Sequence, residues 1–309
     1  MWLRLRAEAA ECRRACSTFV EGMKNALSFD LEDYYHVSAF AEQISAAEWQ
    51  NFASRVERNT LAALDLLAEA GQRATFFTLG WVAERYPHLI RRIADAGHEI
   101  ACHSHRHRLI YEMTQQEFLE DTYHAKSVLE QAGGQAVRGY RAPSFSLTEN
   151  CLWAFNILAE LGFTYDSSVF PVRHPTYGMP SAPRTPFRVE TPYGVIVEFP
   201  MPTLELAGRR SPIGGGAYLR LLPYSYTRWA MRYLNRSEQR PVCVYLHPWE
   251  LDPDQPKMEG RLTARIRHYI GLRGVRKKLR RMLRDFEFAP MGELIPDQKL
   301  LPCEVTLTR

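Results

Sequence analysis

The 309-residue chain has few of the features that would make it a membrane span, a disulfide scaffold or a polyanion binder. No uncharged apolar stretch approaches the roughly 18 residues needed to span a bilayer. Lys and Arg total 39 against 35 Asp and Glu, and the resulting net charge of +4 is too mild to imply nucleic acid. Six cysteines include no C-x-x-C pair, so neither a disulfide framework nor a zinc ribbon is indicated, and a reducing compartment is the simpler reading. Internal repeats and Gly/Ser linkers are also missing. Core material is plentiful: 46% of residues are hydrophobic and 12% aromatic, which excludes disordered and low-complexity classes.

Residues 1–22 differ from the rest. Arg4, Arg6, Arg13 and Arg14 mix with Cys12 and Cys16, without the apolar core and small-residue cleavage site of a secretory signal. The expectation is an N-terminal extension over 1–22, not native or disordered, with translation starting at Met23 and a single domain over 23–309. From Asn25 onward short β runs alternate with helical patterns. Asn25–Asp30, Ala74–Leu79, His98–Cys102, Arg138–Arg141, Phe163–Tyr165, Val195–Phe199 and Val242–Leu246 read as strands. A capping box Ser54…Glu57 opens a helix that stops at Gly71; Val82–Ala96 is helical before Gly97; Thr114…Glu117 caps a helix running to Gly133. Further helical patterns lie near Glu149–Leu161 and Tyr224–Leu234. About seven βα units predict an α/β fold whose parallel sheet closes into a barrel. The Pro- and Gly-rich stretch Pro171–Pro223 is expected to form long loops over one barrel end.

Four of the ten histidines fall within His98–His107, and His103 and His107 are four apart, directly after a strand end. Neutral imidazoles suit zinc-like metals, with a carboxylate as the common third ligand; a solvated polar loop is an equal reading of this segment alone. Asp30, Glu32 and Asp33 shift the balance. Three acids at a strand end repel one another and raise each other's pKa, a strain that a cation relieves. Acids capping a helix N-terminus are the structural alternative. Arg141 and His247 close two further strands, and in a (β/α) barrel such ends converge on the active-site face.

The order Ser28-Phe29-Asp30, His103-Ser104-His105-Arg106-His107, Arg141-Ala142-Pro143 and Leu246-His247 resembles the polysaccharide deacetylases of carbohydrate esterase family four, from about Met23 to the C-terminus. Asp30-Leu31-Glu32-Asp33-Tyr34-Tyr35-His36, Gly214-Gly215-Gly216 with Arg220-Leu221-Leu222-Pro223, and Tyr245 to Pro253 resemble its subgroup associated with exosortase and exopolysaccharide loci of Gram-negative bacteria. The resemblance implies a distorted (β/α)7 barrel and a deacetylase dependent on a divalent metal, zinc foremost, with cobalt or nickel as substitutes. It implies that Asp30 is the general base, Arg141 keeps it ionised, His247 is the general acid, and His103 and His107 bind metal. Ser144, Leu246 and Trp249 would contact substrate, with a backbone N–H at Ser144 in the oxyanion role. The family's second acid is replaced here by Leu31, so Glu32 or Asp33 must stand in for it, and the choice is open.

Between Arg261 and Arg284 there are ten Lys/Arg and no acid, while Val275, Leu279, Met282, Leu283 and Phe286 recur at helical spacing. A solvated basic helix face is the plain reading; docking on anionic lipid head groups or a diphosphate-linked glycan is the sharper one, and nucleic acid is not expected as a partner. The leading function is removal of N-acetyl or O-acetyl groups from a bacterial polysaccharide or its lipid-linked precursor, in exopolysaccharide biosynthesis, in the cytoplasm or at the inner face of the membrane. Two alternatives are a barrel that binds carbohydrate without hydrolysis, which only Leu31 favours, and a metal-free allantoinase-like amide hydrolase, which His103 and His107 oppose.

Overall fold

The computed structural model describes residues 23–41, 43–174, 176–295 and 304–306; the extension expected over 1–22 lies outside them. Strand β1 (Asn25–Leu31) is buried along its whole length. It is followed by helix α1 (Val56–Ala70), β2 (Thr75–Thr78), α2 (Gly80–Arg85), α3 (Pro87–Asp95), β3 (Glu99–Cys102), α4 (Gln115–Gly133), β4 (Gly139–Tyr140), α5 (Ala154–Glu160) and β5 (Tyr165–Asp166). Then come β6 (Phe187–Thr191), β7 (Gly194–Glu198), the hairpin β8 (Thr203–Leu206) and β9 (Arg209–Pro212), α6 (Gly216–Leu221), α7 (Tyr224–Ser237) and β10 (Cys243–Leu246). Helices α8 (Leu262–Tyr269) and α9 (Val275–Asp285), β11 (Phe288–Ala289), α10 (Met291–Leu294) and β12 (Glu304–Thr306) complete the order.

Seven strands run parallel in the order β10-β1-β2-β3-β4-β5-β7, each bonded to the next. This is the expected α/β class. The barrel, however, is not closed. The outer edge of β7 is taken by β6, which returns antiparallel through a hairpin, and β6 is then paired by β12. That hairpin uses the hydrogen bonds that closure against β10 would need. It also corrects the reading of Pro171–Pro223, which holds β6, β7, the β8–β9 hairpin and α6 rather than loops alone.

Alternation along β1 sorts its side chains between two environments. Leu27, Phe29 and Leu31 join the large apolar cluster under the helices, with Leu64, Leu67 and Ile93 among its members. Ala26 belongs to the cluster inside the curl of the sheet, with Phe77, Ala101 and Tyr165, and Ser28 and Asp30 share its parity. Val275, Leu279, Met282 and Leu283 of α9 are buried, as the helical spacing predicts.

Local expectations met two competitors. The patterned helix Val82–Ala96 is broken into α2 and α3 at Tyr86, because Pro87 supplies no N–H and pushes its neighbour out of the helical region. The capping box Thr114…Glu117 forms, whereas Ser54…Glu57 does not: α1 has no cap bond from its own N-cap residue, and Glu57 pairs with His88 instead.

Candidate active site

Asp30 ends the inner face of β1, and Arg141 leaves the end of β4 to meet it. The Arg141 Nη1 lies 2.6 Å from Asp30 Oδ1 and 2.8 Å from Ser28 Oγ. The guanidinium also donates to Ser167 and Cys243 and lies 4.0 Å from the centre of the Phe77 ring. It is wholly buried, so these partners replace water around the charge.

His103 follows β3. Its Nδ1 donates to the Arg141 carbonyl at 2.8 Å, which leaves the Nε2 lone pair for a ligand. Burial holds the His103 imidazole down to about 4, against the pull of Asp30, and holds His107 well below its ordinary value. Both are therefore neutral near pH 7, the form that binds metals. Glu32 completes the set: its Oε2 lies 3.1 Å from His107 Nε2, and one donor atom from each of Glu32, His103 and His107 fits within 4.8 Å. That Oε2 is buried with no hydrogen-bond partner, and desolvation carries the carboxyl up to about 7 although His247 opposes it. A buried carboxylate oxygen without a donor, beside two neutral imidazoles, fits a divalent cation.

Strand alternation separates the two acids that the sequence left open. Asp30 and Glu32 have the same parity, with Leu31 directed into the apolar cluster between them. Asp33 turns away. Its Oδ2 accepts from Ser54 Oγ, Arg55 N–H and Val56 N–H at 2.7, 2.7 and 3.1 Å, and its Oδ1 accepts from Tyr34 N–H at 3.0 Å. Asp33 thus caps α1 from outside the helix and is not part of the donor cluster.

His247 follows β10, and its Nε2 faces Glu32 Oε1 at 3.4 Å. Burial would lower its pKa, but the hydrogen bond with Glu250 and the charges of Glu32, Glu250 and Asp30 carry it up to about 9. Glu250 Oε2 lies 3.3 Å from His247 Nδ1 and accepts from the His247 N–H at 2.9 Å, while Arg220 Nε holds the other carboxylate oxygen at 2.7 Å. Sequence reasoning missed Glu250 and Arg220; the i, i+3 spacing of His247 and Glu250 was the available signal. The Gly214–Gly216 run permits this packing. A Cβ on Gly216 would lie 1.9 Å from Glu250 Oε2, and one on Gly214 2.3 Å from the Cys243 carbonyl.

These groups open on a cavity of about 380 Å³ lined by Asp30, Glu32, His103, His107, His247 and Glu250. Ser144 and Trp249 also line it, with Tyr111 and Tyr177 among the aromatic walls. Ser144 and Phe145 both take left-handed backbone angles, φ 50° and 55°, sparsely populated conformations for residues with side chains. Ser144 Oγ meets Ser38 Oγ at 2.7 Å. Leu246 is placed elsewhere: it is fully buried in the large apolar cluster and does not line the cavity.

Residues 49–165 match the family model for polysaccharide deacetylase, and residues 167–296 match a domain of unknown function, DUF3473. The likeness to the polysaccharide deacetylases thus extends over residues 49–165, less than half of the chain. A peptidoglycan-N-acetylglucosamine deacetylase of Bacillus cereus is 34% identical over 92 residues, which are 29% of this chain and 34% of that protein. The chain therefore matches only about a third of that relative's length. Among solved structures, a Mycobacterium smegmatis protein ascribed to the polysaccharide deacetylases aligns over 92% of this chain and 93% of its own, with 22% identity and a TM-score of 0.60, a likeness of fold. A family 4 carbohydrate esterase from Streptomyces lividans, solved with acetate, aligns over 86% and 92% at 15% identity and a TM-score of 0.47. Asp30 and Glu32 precede the first matched stretch, His103, His107 and Arg141 lie within it, and His247 lies within the second.

Asp33→Ala should unpair the Arg55 and Val56 N–H groups at the head of α1, with that of Tyr34, and lower stability by about 2–4 kcal/mol. Glu32→Gln, which removes a carboxylate desolvated by burial and with one oxygen lacking a hydrogen-bond partner, should cost less stability in metal-free buffer than Asp33→Ala does. Urea denaturation of both variants with chelator checks the contrast; an equal loss in both would contradict the assignment of Asp33 as the cap.

Proposed function

We propose that residues 23–309 act as one catalytic unit, a metal-dependent hydrolase that removes N-acetyl or O-acetyl groups from a bacterial polysaccharide or its lipid-linked precursor in exopolysaccharide biosynthesis. The observation that carries this is the lone buried Glu32 oxygen beside neutral His103 and His107, across one cavity from Asp30 and His247. Glu32, His103 and His107 would hold the ion, with zinc foremost and cobalt or nickel able to replace it. When bound, the ion supplies Lewis-acid polarisation of the acetyl carbonyl and of water.

Asp30 takes the proton of the attacking water, and the Arg141 guanidinium, 2.6 Å away, holds its carboxylate in place for that purpose. His247 gives its Nε2 proton to the departing nitrogen or oxygen, while Glu250 engages Nδ1 and fixes the ring. Trp249 lies parallel to the His247 ring, 4.9 Å between centres and 21° between planes, and narrows its freedom. The left-handed turn at Ser144 brings its backbone to the cavity wall, in keeping with an oxyanion role. The alternative of a barrel that binds without hydrolysis rested on Leu31. With Leu31 in the apolar cluster and Glu32 on the cavity side, that support falls away.

The same reading extends to a membrane surface. No helix among the described residues is long and apolar enough to cross a membrane. Helix α8 nevertheless exposes Leu262 and Ile266, four apart, at 69% and 53%, and Ile270 directly after the helix is 42% exposed. They lie in the stretch with ten cations and no acid, while Ala264, Arg267 and His268 of the same helix line the cavity. Part of that charge is spent internally: Lys278 donates to the carbonyls of Leu219, Arg220 and Leu222, Arg276 to that of Leu251, and Arg280 pairs with Glu69. An exposed apolar stripe ringed by cations suits an anionic lipid surface, which would bring the cavity beside a membrane-borne substrate.

His103→Ala, His107→Ala and Glu32→Ala are each expected to lose bound zinc together with activity, and Asp30→Asn to keep zinc while losing about 10²–10⁴ in rate. His247→Ala should lose a similar factor on an N-acetylated oligosaccharide and much less on a chromogenic acetyl ester, whose leaving group needs no proton. Metal analysis with turnover on both substrates tests this, and equal losses on amide and ester would remove His247 from the acid role. For the surface, phosphatidylglycerol-containing vesicles should sediment the protein at low salt and release it at high salt, whereas pure phosphatidylcholine and the Leu262→Asp, Ile266→Asp variant should show no binding. Wild-type-like sedimentation by that variant would refute the α8 stripe as the contact.

A further inference from the structure

The segment from His103 to His107 carries a third histidine that the cavity does not use. His105 projects the other way, and its backbone N–H donates to Asp121 Oδ2 on α4 at 2.8 Å. The loop is bolted to the start of α2: Gly80 N–H donates to the Ser104 carbonyl and Trp81 N–H to that of His105, at 2.9 and 3.2 Å. The imidazole lies so close to Gly80 that a Cβ there would come within 2.6 Å of its Nδ1. That nitrogen is buried with no hydrogen-bond partner.

The other nitrogen, Nε2, faces Glu84 Oε2 of α2 at 3.8 Å. The second oxygen of Glu84 lies 2.7 Å from Nε2 of His124 on α4. The two imidazoles meet edge to face, 4.4 Å between centres. Three elements thus bring two imidazoles and one carboxylate together, with a donor atom from each inside 4.8 Å. An ion pair alone accounts for Glu84 and His124, and being exposed it adds little to stability. It does not account for His105, whose Nε2 stops beyond hydrogen-bond reach of the carboxylate. A separation of 3.8 Å is near the roughly 3.4 Å that two ligands adopt around one tetrahedral zinc with bonds of about 2.0–2.1 Å.

We propose that Glu84, His105 and His124 form a second site for a divalent transition metal of the zinc, nickel or copper class, distinct from the cavity. The site is open to solvent on the Glu84 and His124 side, so its ion exchanges more readily than one held by the buried trio. Its place in the fold suggests its effect. An ion there ties α2 and α4 to the loop that carries His103 and His107, and so steadies two of the proposed cavity ligands from behind.

The test is metal stoichiometry of untagged protein, stripped and then dialysed against zinc. Wild type should retain two equivalents, the second at least tenfold weaker by competition with a chelator. His124→Ala and Glu84→Gln should each retain one and keep amide turnover at saturating zinc. Their melting temperature should lose the increment that the second equivalent gives wild type. His103→Ala with His107→Ala should also retain one equivalent, which adding His124→Ala removes. A single equivalent in wild type that His103→Ala abolishes, or two equivalents persisting in His124→Ala and Glu84→Gln, would overturn the second site. A single equivalent lost on His124→Ala but kept by His103→Ala would instead uphold it and overturn the metal reading of the cavity.

Discussion

One buried ion pair organises this structure. Arg141 leaves the end of β4 and ties together Ser28 and Asp30 of β1, Ser167 beyond β5 and Cys243 of β10, while its carbonyl orients His103 beyond β3. Taking a guanidinium out of water costs several kcal/mol, and only near-complete replacement of its hydration makes that tolerable. Here a carboxylate, two hydroxyls, a carbonyl, a thiol and the Phe77 ring supply the replacement. The strand ends cannot drift apart without stripping partners from that charge. The positions of the proposed base and of one proposed metal ligand are thus by-products of solvating Arg141.

The acid end is organised by an opposite device. His247 is surrounded by carboxylates, and Arg220 keeps the nearest of them, Glu250, ionised. An anion next to an imidazole keeps it protonated, the form an acid needs. Both arrangements open on the same cavity. The glycine run at 214–216 belongs to this end: side chains there would collide with the carboxylate and with the strand that carry His247.

Much of this was legible in the residues. Polar groups ending apolar runs marked the C-terminal strand edges; Asp30, His103 and His247 line one cavity there, with Arg141 buried behind Asp30. The different placements of Glu32 and Asp33 were legible too, had strand parity been applied, since only Glu32 shares a face with Asp30. The failures were non-local. Ser54 and Glu57 have the right spacing for a capping box, but Asp33, more than twenty residues earlier, engages the Ser54 hydroxyl and accepts from the Arg55 and Val56 N–H groups, capping the helix in their place. The open sheet follows from the β6–β7 hairpin, and nothing within either strand states which edge the return will occupy. Leu246 lies beside His247, yet the pleat sends it to the opposite side of the sheet.

The antiparallel return on β7 and the insertion of β10 beside β1 bear on how such a chain can be inherited. The junction between the two matched stretches falls at residue 166, but the sheet does not respect it: β5 is paired by β7, and β1 by both β10 and β11. A chain ending at that junction would present two raw strand edges, each a template for aggregation. It would also leave Arg141 without Ser167 and Cys243. The two stretches therefore cannot be shuffled as free-standing modules. A lineage that exchanges one must carry the other with it, matched in register and in the polar lining of the interior.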